Sequence, residues 1–132
     1  MKRATKKVQE QDSVTQPGVA VRGSVISLRT PLLGCQHAVV MSNDIQNAFS
    51  EYLMVVPLQR RNSRLLAPFA VDLGRDVGMR DLHSARCDWT STVLRSQLNE
   101  IVRAKIPADA LTKLEEALCV ALGFSSVGVE KN

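Results

Sequence analysis

Two short apolar runs lying close together, His37-Ala38-Val39-Val40-Met41 and Tyr52-Leu53-Met54-Val55-Val56-Pro57-Leu58, constrain the fold more than any other feature of this chain. Each is rich in β-branched residues and bounded by polar breakers, the pattern of a largely buried strand. Between them, Ser42-Asn43-Asp44-Ile45-Gln46-Asn47 carries short polar side chains that bond to nearby backbone. Such residues end a strand and start a turn or a single helical turn. Two buried strands at the centre of a small sheet are therefore the frame on which the rest is hung.

At 132 residues the chain is long enough for one core but not two. Residues 1–20 are basic and polar with little to bury and are expected to form a mobile arm; 21–124 form the domain, and 125–132 a frayed tail. An opening strand is expected over Val21–Leu28, where Val, Ile and Leu alternate with Ser and Gly. A helix should follow Pro107, with Leu111, Leu114, Ala117, Leu118, Ala121 and Leu122 forming an apolar stripe, Asp109 facing the positive end of the dipole, and Gly123 capping the end.

No apolar run approaches the roughly 20 residues of a membrane span, and the N-terminus lacks an apolar signal core, so a cytoplasmic protein without a membrane partner is expected. Cys35, Cys87 and Cys119 are odd in number and widely spaced, which argues against a disulfide framework or zinc site; no metal or cofactor is expected. Net charge is +4, and between residues 21 and 105 ten arginines and one lysine face seven acids. Arginine suits bidentate phosphate contacts, so a polyanionic or acidic partner is favoured.

Several short motifs, taken together and in order, resemble the MazF/PemK (Kid) family of toxin–antitoxin ribonucleases. Arg22-Gly23-Ser24-Val25-Ile26 lies over the family's opening Arg-Gly-Glu-Ile-Trp. Ser42-Asn43-Asp44 ends the second strand, Val55-Val56-Pro57-Leu58 the third, and Pro68-Phe69-Ala70-Val71-Asp72-Leu73 resembles Pro-Phe-x-Val-x-Leu. His83–Val93 resembles the family's last long strand, which usually ends Asp-Gln-Ile-Arg-Thr-Val, with Asp88, Thr92 and Val93 in agreement, and Leu114-Glu115-Glu116-Ala117-Leu118 with Leu122-Gly123-Phe124 resembles the closing helix. The resemblance implies a mostly β fold, an SH3-like barrel of the MazF/PemK/CcdB type with a bent antiparallel sheet and a C-terminal helix.

It also implies a site. Metal-independent RNA cleavage needs a base for the ribose 2′-hydroxyl, an acid for the leaving 5′-oxygen and positive charge on the phosphate. The family supplies these from an arginine before the second strand and a Thr-Ser corner after the third. Here those positions hold Gln36 and Gln59, beside His37 and Arg60. His37 titrates near neutral pH and can serve as acid or base, while Arg60 can hold the phosphate. Arg29, Arg61, Arg64 and Trp89 are the candidates for RNA binding, Trp89 by stacking. Tyr52 and Phe69 are expected in the core, and His83 in a surface turn.

The expected partners are single-stranded RNA, an acidic antitoxin, operator DNA through the antitoxin complex, and a second copy of the chain docked through the first strands and the helix stripe. A catalytically silent MazF-like module that binds antitoxin, RNA or operator DNA is the alternative. A CcdB-like gyrase poison is a further one, although such toxins act through a C-terminal Trp-Gly-Ile and this sequence closes Val129-Glu130-Lys131-Asn132.

Overall fold

Strand β3, Tyr52–Arg60, is the spine of the molecule: it pairs with β2, Cys35–Val40, along one edge and with two successive partners along the other. The computed structural model describes residues 20–61 and 69–124. Among them the sheet also contains β1 (Val25–Leu32), β4 (Ala70–Gly74), β5 (His83–Arg86), β6 (Ser91–Leu94) and β7 (Leu98–Arg103), in the order β4-β5-β3-β2-β1-β7, with β6 on the first half of β3. Every pairing is antiparallel, and among the described residues the sheet does not close. Pro57 falls where β3 changes partner, between Val55 opposite Ser91 and Leu58 opposite Ala85. A strand interior tolerates proline where the ladder is interrupted.

The expected single strand over His83–Val93 is broken. Cys87–Trp89 forms a turn of 3₁₀ helix, separating β5 from β6 so that each pairs with a different half of β3. Strand β7 has no counterpart among the expected elements, because as an edge strand its mixed side chains are half-buried at best and show no clean alternation. The opening strand begins four residues later than expected. Arg22-Gly23 makes a turn instead, where Gly23 has φ +95° and a Cβ would come within 3.1 Å of the Lys105 side chain. Arg22 crosses from there to Glu115 of the helix at 2.9 Å and to the Met41 carbonyl, and its backbone N–H donates to Asp44. Ser24, at the family's glutamate position, is buried and donates to the Ala104 carbonyl at 2.8 Å.

Alternation along the strands gives two cores. Val25, Val39, Val56, Leu58 and Ala85 face helix α2, Ala108–Ala121, which packs over β4 and the 3₁₀ turn. Ile26, Ala38, Val40, Leu53 and Val55 form the second core on the opposite face. Both cores are aliphatic, as the 4% aromatic content requires. In α2, Leu114 is fully buried and Leu111 and Leu118 partly so, against the chain's own sheet. The end of α2 is capped as expected, Gly123 at φ +87° and the Phe124 N–H donating to the Cys119 carbonyl at 2.7 Å. The stripe is thus covered internally from Leu111 to Ala121, whereas Leu122, expected in it, lies past the last helical residue and is 62% exposed. Exposed apolar side chains gather elsewhere, chiefly Ile45, Phe49, Tyr52, Met54 and Leu94; Tyr52 therefore departs from its expected core position, while Phe69 packs against the helix-side core.

The Ser-Asn-Asp-x-x-Asn segment forms α1, Asp44–Phe49, as one short helix. Asn43 caps it by accepting from the Gln46 N–H at 2.8 Å. Asn47 is fully buried and donates to the Ser42 carbonyl at 2.9 Å, while Ser42 Oγ donates to Asn47 Oδ1 at 2.5 Å and accepts from the Met54 N–H at 3.1 Å. This knot locks the turn between β2 and β3. Among the described residues no helix is long and apolar enough to cross a membrane. The expected arm, the tail and the arginine Arg64 lie outside the described residues.

Candidate active site

At the other end of the β2–β3 pair the polar side chains converge on open space. Directly paired residues point to one side of a sheet. His37 stands opposite Leu58, and His83 opposite Arg60, so both histidines and Arg60 project on the face that carries α2. There a cavity of about 470 Å³ is lined by His37, His83, Gln36, Gln59, Arg60 and Arg80 among others. The four catalytic candidates of the sequence thus border one space. The pairing nevertheless divides them: the glutamines alternate with their histidine and arginine neighbours and turn toward the opposite face.

The histidine rings lie edge to face with centroids 6.3 Å apart. His83 is buried and opens β5, which corrects the expected surface turn. Its Nδ1 lies 2.8 Å from the Asp81 carbonyl oxygen, which can only accept, so Nδ1 carries a proton. His37 is half-buried. Burial, then the charge of His83, push its pKa below the usual histidine value, and Glu100 opposes this from β7. Glu100 and His37 share one register row through Ser27. Cys35 borders the same cavity, but burial raises its thiol against the opposing effect of Arg86; burial pushes Cys87 up to about 12. Thiols held protonated are poor nucleophiles.

Arg60 is ion-paired to Asp81 at 3.3 Å with both side chains largely exposed, and Arg61 to Asp72 at 2.8 Å. The basic run has no acids interleaved in sequence, yet folding brings one to each of these two arginines. Exposed pairs of this kind are worth at most about 1 kcal/mol, so a phosphate can displace the acid. A second cavity of about 510 Å³ next to the first gathers Arg60, Arg61, Arg75 and Arg80 around the single acid Asp81. Arg75 and Arg80 do not stand out in the sequence; the turns that follow β4 return Arg75 Nε to the Arg80 carbonyl at 2.9 Å.

The other candidates sit apart. Arg29 is exposed on β1 and donates to the Ser96 carbonyl at 3.1 Å, outside both cavities. Trp89 is half-buried with the Arg86 guanidinium 3.9 Å over its ring. Arg86 in turn is bonded to Asp88 at 2.7 Å and donates to Gln59 Oε1 at 3.1 Å. The bond to Asp88 holds that carboxyl below its ordinary range and raises Arg86. Gln59 is therefore tied to an arginine that no linear motif connects with it.

Residues 23–122 match the family described as PemK-like, MazF-like toxin of type II toxin-antitoxin system. No curated protein matches the sequence. An endoribonuclease from a mycobacterial species is similar in structure with a TM-score of 0.67 at 20% identity, over 82% of this chain and 95% of that one. An endoribonuclease in complex with its cognate antitoxin, also mycobacterial, gives 0.66 at 19% over 82% and 97%. MazE-MazF from Deinococcus radiodurans gives 0.64 at 24% over 80% and 98%. At these identities the likeness establishes the fold.

Proposed function

The chain belongs to the PemK-like, MazF-like toxins of type II toxin–antitoxin systems, and from that premise we propose that it is a metal-independent endoribonuclease that cleaves single-stranded RNA and is held in check by an acidic antitoxin. The observation that carries this is the convergence of His37 and Arg60 on one cavity bordered by an arginine-lined trough. In this reading His37 exchanges the proton and Arg60 offsets the phosphate charge, while Gln36 and Gln59, at the family's arginine and threonine positions, border the cavity at its rim, where their backbone and side-chain amides can meet the substrate's flanking groups. Arg61 and Arg64 track the backbone of the strand. Trp89, already stacked with Arg86, offers a base platform further out, and Arg29 a distant phosphate contact.

The working form is a cytoplasmic homodimer that binds operator DNA through its antitoxin complex. Its apolar contact is expected on Ile45, Phe49, Tyr52, Met54 and Leu94 rather than on the helix stripe, which is already covered. Sedimentation showing only single chains at micromolar concentration would remove the dimer.

The deciding experiment is incubation of single-stranded RNA with the protein in excess chelator. Cleavage leaving a 2′,3′-cyclic phosphate, blocked by a single 2′-deoxy substitution at the cut, is the expected result. RNA binding without any cleavage would favour the silent module, a reading supported by the two glutamines that stand in for arginine and threonine. A search of the flanking reading frames for a small acidic protein, followed by its coexpression, tests the antitoxin: its product should suppress the activity.

A further inference from the structure

Two imidazoles border one cavity, and the ribonuclease reading above, on which this inference rests, engages only one of them. We infer that His83 is the second proton-transfer group, so that His37 and His83 act on the two ends of one phosphodiester exchange. The reaction demands two such groups. As the 2′-oxygen attacks phosphorus its proton must leave, and as the P–O5′ bond breaks the departing oxygen must gain one. Neutral His37 takes the 2′-hydroxyl proton, the P–O2′ bond forms, the P–O5′ bond breaks, and the His83 imidazolium gives its Nε2 proton to O5′. The products are a 2′,3′-cyclic phosphate and a 5′-hydroxyl; proton exchange with water restores both rings, and nothing is oxidised or reduced.

Three features of the site support the pairing. The rings are 6.3 Å apart, edge to face, and line the same space, so one phosphate can lie within reach of both; each nitrogen has to come within about 2.6–3.2 Å of its oxygen. The Asp81 carbonyl holds His83 Nδ1 at 2.8 Å and so fixes the ring whether or not Nε2 carries a proton. The charged groups around the two rings are Arg60 and Arg80 at the cavity, Asp81 paired to Arg60, and Glu100 in the row of His37. Burial and the His83 charge keep His37 the neutral partner near pH 7.

The test uses the parent's own cut site in an oligoribonucleotide, made once with the natural 5′-oxygen and once with sulfur in its place, since a thiolate leaves without being protonated. His83→Asn keeps a side-chain donor for the Asp81 carbonyl but transfers no proton. It should lose about 10²–10⁴-fold on the oxygen substrate and recover to near the parental rate on the sulfur substrate. His37→Ala should be slow on both. Equal loss of His83→Asn on both substrates, or parental activity on the natural one, overturns the inference while leaving the ribonuclease standing. A parent that cleaves neither substrate overturns both.

Discussion

The two ends of the β2–β3 pair use polar residues in opposite ways. At one end Ser42 and Asn47 are buried and bonded to each other and to nearby backbone. At the other, His37, His83 and Arg60 border a cavity that no side chain fills. A buried polar network with every group partnered stabilises one structure and does no chemistry. Groups that face a cavity and stay partly exposed, as His37 and Arg60 do, contribute little to the fold and are available to a substrate.

Substitutions at the two ends should separate accordingly. His37→Ala is expected to have the largest effect, lowering the cleavage rate about 10²–10⁴-fold with a melting temperature close to the parent's, because the ring is half-exposed; a parental rate would place proton transfer elsewhere. Asn47→Ala should do the reverse. It leaves the Ser42 hydroxyl and carbonyl buried without their partner, costing about 1–3 kcal/mol, or about 4–8 °C in Tm for each kcal/mol, while the folded fraction keeps its activity. A calorimetric scan that moves less than this would mean water replaces the amide.

Replacing Arg60, Arg61 and Arg64 together with Ala should weaken RNA binding about uniformly across sequences and lower the salt slope by about one for each phosphate that is no longer neutralised. Stability should stay within about 0.5 kcal/mol, since the ion pairs of Arg60 and Arg61 are partly or largely exposed. An unchanged salt slope would confine the arginines to the surface. The smallest effect is the pH dependence of stability. His37 has its folded pKa below the unfolded value of about 6.5. The unfolded chain therefore binds the proton first, so this contribution is complete above that pH and is lost progressively as pH falls towards the folded value. In His37→Ala this component should vanish from melting curves recorded across the range; its persistence would assign it to other groups.

Local patterns are decisive where neighbours in sequence are neighbours in space. The β2 and β3 runs, the polar turn made into α1 by Asn43 and Asn47, and the helix with its Gly123 cap are legible because hydrophobic period and capping chemistry act within a few residues. Arg22-Gly23 is legible as a motif but not as a turn, since what forbids a side chain there is Lys105, far along the chain. Tyr52 escapes the local pattern because its exposure depends on which half of β3 the helix covers.

By itself, then, the sequence determined a small β-rich domain with an aliphatic core and a closing helix, and its resemblance to the family brought His37, Gln36, Gln59 and Arg60 into view as the residues flanking two strand ends. Only the tertiary structure decided that His83 faces His37, that Arg75 and Arg80 join Arg60, and that Arg86 holds Gln59. The physical reason is register. Strand β5 follows β3 in sequence only after β4, and a shift of one residue in its pairing would turn His83 to the opposite face. No period in the sequence carries that choice; the packing of Ala85 against Leu58 beneath the helix makes it.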